Sequence, residues 1–168
     1  MEQHTISVLV ENKFGVLARV AGLLSGRGYN IESLTVSATH DPCISKMTIV
    51  TIGDDNILEQ IEKQLNKLID VVKVTDLTGS KFIERELALI KIKSNSSTRS
   101  EIIQIAEIFE AKIVGVHQDE IDVEIHGRPY KIDNFIGLIA EFGLIEVARS
   151  GRVAISREPG ATEDYSNL

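Results

Sequence analysis

The sequence predicts an α+β fold made of two consecutive βαββαβ units. Apolar spacing switches repeatedly between the period of two expected of a strand and the three- and four-residue spacing of a helix face. That alternation runs through the same six-element order twice. Between the two runs, TDLTGSKF at residues 75–82 mixes turn formers with charge and breaks the pattern, as a domain linker does.

In the first run, ISVLV at residues 6–10 places Ile6, Val8 and Val10 on one face of a strand. Leu17, Val20, Ala21 and Leu24 then have helical spacing, and Gly28 follows as the stop. NIESLTVSAT resumes alternation through Leu34, Val36 and Ala38. Asp41-Pro42 marks a connection, and ISKMTIVTI restarts a strand. Asp54-Asp55 opens a second helix whose apolar face is Ile57, Ile61, Leu65 and Leu68, and Val72 and Val74 form a returning strand.

The second run repeats this order. ELALIKIKS is a strand. Thr98 with Glu101 offers a capping box ahead of a helix faced by Ile102, Ile105, Ala106 and Phe109, with Ser97 or Ser100 as alternative starts. KIVGVH and IDVEIHG form a hairpin through QDE, and Ile132, Phe135, Ile136 and Ile139 face a last helix stopped by Gly143. LIEVARSGRVAI reads either as one bent strand or as a hairpin centred on Ser150-Gly151. From Arg157, REPGATEDYSNL has little periodicity and is expected to be a mobile tail. Such units place two helices on one face of an antiparallel sheet and leave the other face to solvent or a partner.

Composition narrows the function classes. With 18 basic against 25 acidic residues, a net charge of -7, no Trp, five Phe and three Tyr, the chain lacks the charge and stacking platforms of a nucleic-acid binder. Cys43, the single cysteine, excludes an intrachain disulfide framework and reads as a small apolar side chain. The start MEQHTISVLV lacks a basic region followed by a long apolar segment, and no stretch approaches a membrane span, so a cytoplasmic protein is expected.

The segment NKFGVLARVAGLLSGRGYNI, residues 12–31, carries the candidate site. An exposed helix start presents N–H groups without intrahelical acceptors and favours an anion, and Gly15 permits close approach of a carboxylate. Asn12 and Asn30 each offer an amide donor and an acceptor, suited to the two ends of an amino acid. The same residues also suit plain helix punctuation. Gly22 and Gly26 read as close-packing positions, since neither dinucleotide nor phosphate-loop spacing occurs.

Other constellations are weaker. His4, His40, His117 and His126 show no compact ligand spacing and read as surface or turn residues, so no metal is assigned. Asp119, Glu120, Asp122 and Glu124 read as a solvated turn and strand edge. Ser25 and Ser33 have no motif joining them to a histidine and an acid, and Arg149 and Arg152 read as solvated charge flanking a turn. No catalytic residue is assigned.

ENKFGVLARVAGLLSGRGYNIESLTV, then KMTIVTIGDDNILEQIEKQLNKLIDVVKV, then VARSG near the C-terminus closely resemble the regulatory small subunit of acetolactate synthase, also called acetohydroxyacid synthase. The resemblance implies two ferredoxin-like domains: an ACT effector-binding domain over residues 1–78 and the family's C-terminal domain over 84–156, followed by a tail at 157–168. It implies a homodimer through the N-terminal domain and a catalytic large subunit as partner. That partner would carry thiamine diphosphate, magnesium and usually FAD, with none of them in this chain. The small subunit would activate it and confer feedback inhibition by a branched-chain amino acid, valine first. Asn12, Gly15, Val16 and Leu17, with Asn30 and Ile31, match the family's effector site, which combines residues of two chains. Phe14 stands where some relatives carry a small polar residue, which bears on pocket shape. The other reading is an independent ACT-type sensor controlling a different protein.

Overall fold

The computed structural model describes residues 2–158, so all of the expected tail beyond Glu158 lies outside the described residues. The described residues form two compact units, one of residues 2–83 together with 152–158, the other of 84–151.

The first unit runs β1 (Glu2–Glu11), α1 (Val16–Gly26), β2 (Ile31–Ala38), β3 (Ile44–Gly53), α2 (Asp55–Leu65) and β4 (Val71–Asp76). Its antiparallel ladders give the sheet order β2-β3-β1-β4. Ile6, Val8 and Val10 of β1 share one face with Met47 and Ile49 and pack against Val16, Val20 and Leu24 of α1 and Ile61 and Leu65 of α2. The helix starts at Val16, so its buried stripe is Val16, Val20 and Leu24 at four-residue steps, and Leu17 falls outside it at 43% exposure. Asp54 caps α2 by accepting the Ile57 N–H. Gly22 and Gly26 are not close-packing positions, because a Cβ at either would meet nothing within 4 Å.

Two further expectations fail here. Cys43 is exposed. His4 lies buried in β1, in register with Thr51 on the helix side of the sheet, because the strand's alternation carries it there beside Ile6.

LIEVARSGRVAI is neither a bent strand nor a hairpin. It contains β8 (Leu144–Arg149) and β9 (Val153–Ser156), and β9 pairs with the start of β5 (Phe82–Lys93), where the Arg157 N–H donates to the Lys81 carbonyl at 2.7 Å. β9 lies on the face of the first sheet opposite the helices: Ala154 N–H donates to Thr48 Oγ1 and Arg152 N–H to Ser33 Oγ, at 3.3 and 3.2 Å. That cover explains why Thr48 and Ala154 are both buried.

The second unit continues β5, then α3 (Arg99–Ile108), β6 (Lys112–Val116), β7 (Glu120–Gly127), α4 (Pro129–Ile139), a single 3-10 turn (Ala140–Phe142) and β8. Its sheet order, β6-β7-β5-β8, repeats that of the first unit. Ala88, Ile90 and Ile92 with Ile121, Val123 and Ile125 form the sheet side of a core closed by Ile102, Ala106, Ile132, Phe135 and Ile139. The Thr98-Glu101 capping box is absent. Asn95 takes that role, its Oδ1 accepting the Ser97 and Thr98 N–H groups, while Thr98 Oγ1 turns back to accept the Asn95 N–H. Arg149, expected as solvated charge, instead pairs with the buried Glu86. Among the described residues no helix is long and apolar enough to cross a membrane.

Candidate functional site

The β1–α1 turn is built from Asn12 to Leu17. Asn12 closes it against the loop before β3, its N–H donating to the Cys43 carbonyl at 2.7 Å and its Nδ2 to the Pro42 carbonyl at 2.8 Å. Gly15 sits at φ +82, in the left-handed region where a side chain is strained, and leads directly into α1. Val16 is buried and anchors the helix start, whereas Leu17 faces outward and Phe14 is fully exposed on the turn. The Val16 N–H donates to the Lys13 carbonyl at 3.4 Å, while the Leu17 and Ala18 N–H groups that follow it have no intrahelical acceptor and stand beside a position with no Cβ, an arrangement suited to an anion.

A cation that sequence spacing did not single out adds to this. Arg19, one turn into α1, holds Asp70 at 2.7 Å, and its Nη1 lies 3.7 Å from where a Gly15 Cβ would stand. Only the fold brings Asp70, at the head of β4, to that corner, where its carbonyl also accepts the Glu11 N–H. On the same turn Lys13 pairs with Glu11, whose hydrogen bond and charge raise the lysine pKa above its ordinary value.

Asn30 and Ile31 lie elsewhere. Both β1 and β2 run antiparallel to β3, so they run in the same direction, and Ile31 shares a row with Thr51 and His4. Asn12 stands eight residues further along, about 26 Å at the usual strand rise of about 3.3 Å per residue. Asn30 is tied locally: its carbonyl accepts from Thr51 Oγ1 at 2.7 Å and its Nδ2 donates to Glu32 Oε1. Within one chain the structure gathers Asn12, Gly15, Val16 and Leu17 at one end of the sheet and leaves Asn30 and Ile31 at the other. β2, which begins at Ile31, is an edge strand with Val36, Ser37 and Ala38 exposed.

Comparison with known proteins agrees with this architecture. Residues 6–73 match the family model described as the AHAS small subunit-like ACT domain, and residues 85–158 match that of the small subunit of acetolactate synthase. The chain is 49% identical to the acetolactate synthase small subunit of Aquifex aeolicus over 98% of its length and 86% of the relative's. The chain belongs to the acetolactate synthase small-subunit family. The small subunit of isozyme 3 from Escherichia coli is 48% identical, with 92% of this chain and 96% of that one covered. The crystal structure of the Thermotoga maritima small subunit superposes with a TM-score of 0.86 at 42% identity, covering 95% of this chain and 99% of that one. As a member of the acetolactate synthase small-subunit family, the chain is the non-catalytic, regulatory component, and the reaction is carried by the large subunit.

Proposed function

We propose that this chain activates the acetolactate synthase large subunit and carries its feedback site, with a branched-chain amino acid, valine first, held between two copies of the N-terminal unit. The observation that carries this reading is the separation of the two site segments along one sheet together with the position of β2 at the edge of that sheet. Antiparallel two-fold pairing of β2 with a second β2 sets the Asn30 end of one strand beside the Ala38 end of the other, which is the end where Asn12 and Gly15 stand. The carboxylate then sits on the open N–H groups of α1 next to Arg19, Asn30 of the second copy takes part in binding the polar end, and Phe14, Leu17 and Ile31 supply apolar contact.

Thiamine diphosphate, magnesium and FAD belong in this reading to the large subunit. The chain acts by binding that subunit's active conformation more tightly, which raises activity without donating a reacting group. Co-purification with the large subunit and reconstitution of acetolactate formation tests the reading. Turnover should rise on adding the chain and fall again with valine. Robust turnover by this chain alone, or a large subunit indifferent to it, contradicts the proposal.

A further inference from the structure

Three connections of the first unit meet at the end of the sheet where α1 starts, and each exposes an apolar or sulfur-bearing side chain. Phe14 projects from the β1–α1 turn, Pro42 and Cys43 from the β2–β3 loop, and Ile69, at 95% exposure, from the α2–β4 turn. Scattered exposed apolar residues are ordinary, whereas a group of them on adjoining loops marks a contact surface. These loops are bonded to one another. Asn12 donates its N–H to the Cys43 carbonyl and its Nδ2 to the Pro42 carbonyl, at 2.7 and 2.8 Å, and the Glu11 N–H donates to the Asp70 carbonyl at 2.9 Å. Asp41 Oδ1 accepts the Cys43 N–H at 2.8 Å. The group is therefore held in place before any partner arrives, which lowers the ordering cost of binding.

Charges around it pair locally: Lys13 holds Glu11 at 2.6 Å and Arg19 holds Asp70 at 2.7 Å. What the corner offers outward is accordingly apolar, and it fits an apolar recess rather than a charged one. A second copy of the chain is not placed to fill it. Dimerisation through β2 uses one edge of the sheet and β4 forms the other, three strand spacings of about 4.8 Å away, or about 14 Å. Ile69 stands just before β4, so it stays open when two first units join through β2.

We propose that Ile69, Pro42 and Cys43, with Phe14 at the rim, dock into an apolar recess of the acetolactate synthase large subunit. This inference rests on the reading of the chain as that subunit's activator and adds which surface makes the contact. Regulation follows from the placement. The β1–α1 turn receives the effector in that reading, and through Asn12 it also holds the Pro42–Cys43 loop. An effector that shifts this turn shifts the docking surface with it, which couples the two binding events.

The test uses the full chain with its large subunit. Cys43 is the single cysteine of the chain, so maleimide labelling of this chain, read by its mass, reports the patch directly. Cys43 should react readily in the free dimer, and saturating large subunit should protect it. Ile69→Glu should weaken large-subunit binding at least about tenfold, as loss of a central apolar anchor does. Its dimer mass, circular dichroism and valine affinity should match the parent's, because Ile69 is exposed and lies outside the effector site. Ile69→Leu should restore parent-like binding. An Ile69→Glu chain that binds the large subunit like the parent, or a complex that forms with Cys43 still reactive, overturns the docking surface and leaves the activation reading standing. Loss of the dimer in Ile69→Glu, or an unreactive Cys43 in the free dimer, assigns the surface to a second copy and overturns the proposal as well. A parent chain that does not bind the large subunit overturns both.

Discussion

Arg149 on β8 grips Glu86 on β5 through two parallel hydrogen bonds, Nε to Oε1 at 2.7 Å and Nη2 to Oε2 at 2.8 Å, and its third nitrogen reaches Asp133 Oδ1 on α4 at 2.7 Å. Glu86 is almost fully buried, while the guanidinium keeps contact with water. The pair raises the arginine pKa, the Glu86 hydrogen bond being the largest cause. Arg149→Met leaves an uncompensated buried carboxylate. Removing one member of a fully buried pair costs about 3–5 kcal/mol, and partial exposure of Arg149 brings the expectation down to about 2 kcal/mol. Urea unfolding should show that loss, with much of it recovered in Arg149→Met/Glu86→Leu, which removes both charges.

His4 gives the opposite sign. Both ring nitrogens are buried and have no hydrogen-bond partner among the described residues. An unsatisfied buried polar group costs about 1–3 kcal/mol, so His4→Leu, which keeps the volume and removes the nitrogens, should leave the melting temperature unchanged or raise it. A drop of several degrees would show that the ring has a partner essential to the fold.

Glu62 on α2 has its pKa raised, first by burial and then by the charge of Asp76. A carboxyl that holds its proton more tightly in the fold than in the unfolded chain loses stabilising influence as pH rises through the carboxylate range. Glu62→Gln should therefore melt higher than the parent at neutral pH, and the gap should close as pH falls below the unfolded carboxylate range. A gap that widens on acidification contradicts this assignment.

Gly15→Asp should separate binding from folding. The substitution places a carboxylate at the proposed anion-receiving turn and forces a side chain into a left-handed conformation, a cost of about 1–2 kcal/mol that Asp tolerates better than most residues. The expected product is a complex with the large subunit that assembles and stays active at valine concentrations that inhibit the parent. Parent-like valine inhibition of the assembled variant would remove the turn from the site.

Local periodicity made the two βαββαβ units legible. Val20 and Leu24, Ile61 and Leu65, Ile102 and Ala106, and Ile132 and Phe135 are the buried stripes of their helices, at spacings the sequence displays. Asn12 to Leu17 were legible as a turn because Gly15 precedes a helical run. What escaped depends on partners distant in the chain. Arg149 and Glu86 are 63 residues apart, Arg19 meets Asp70 only once β4 returns, and β9 finds Thr48 across 106 residues. Capping was misread for a different reason: Asn95 and Thr98 both suit a helix start, and only backbone geometry chooses between them.

A complementation experiment tests the shared effector site most directly. Gly15→Asp chains and chains carrying Asn30→Ala with Ile31→Ala are each expected to bind valine poorly as homodimers. Dissociated and re-associated together, they form mixed dimers in which one site carries every lesion and the other carries none. Calorimetry on purified mixed dimers should then recover one site of parent-like valine affinity. Mixed dimers that form but recover no such site contradict the central claim, because each chain would then be holding its effector alone.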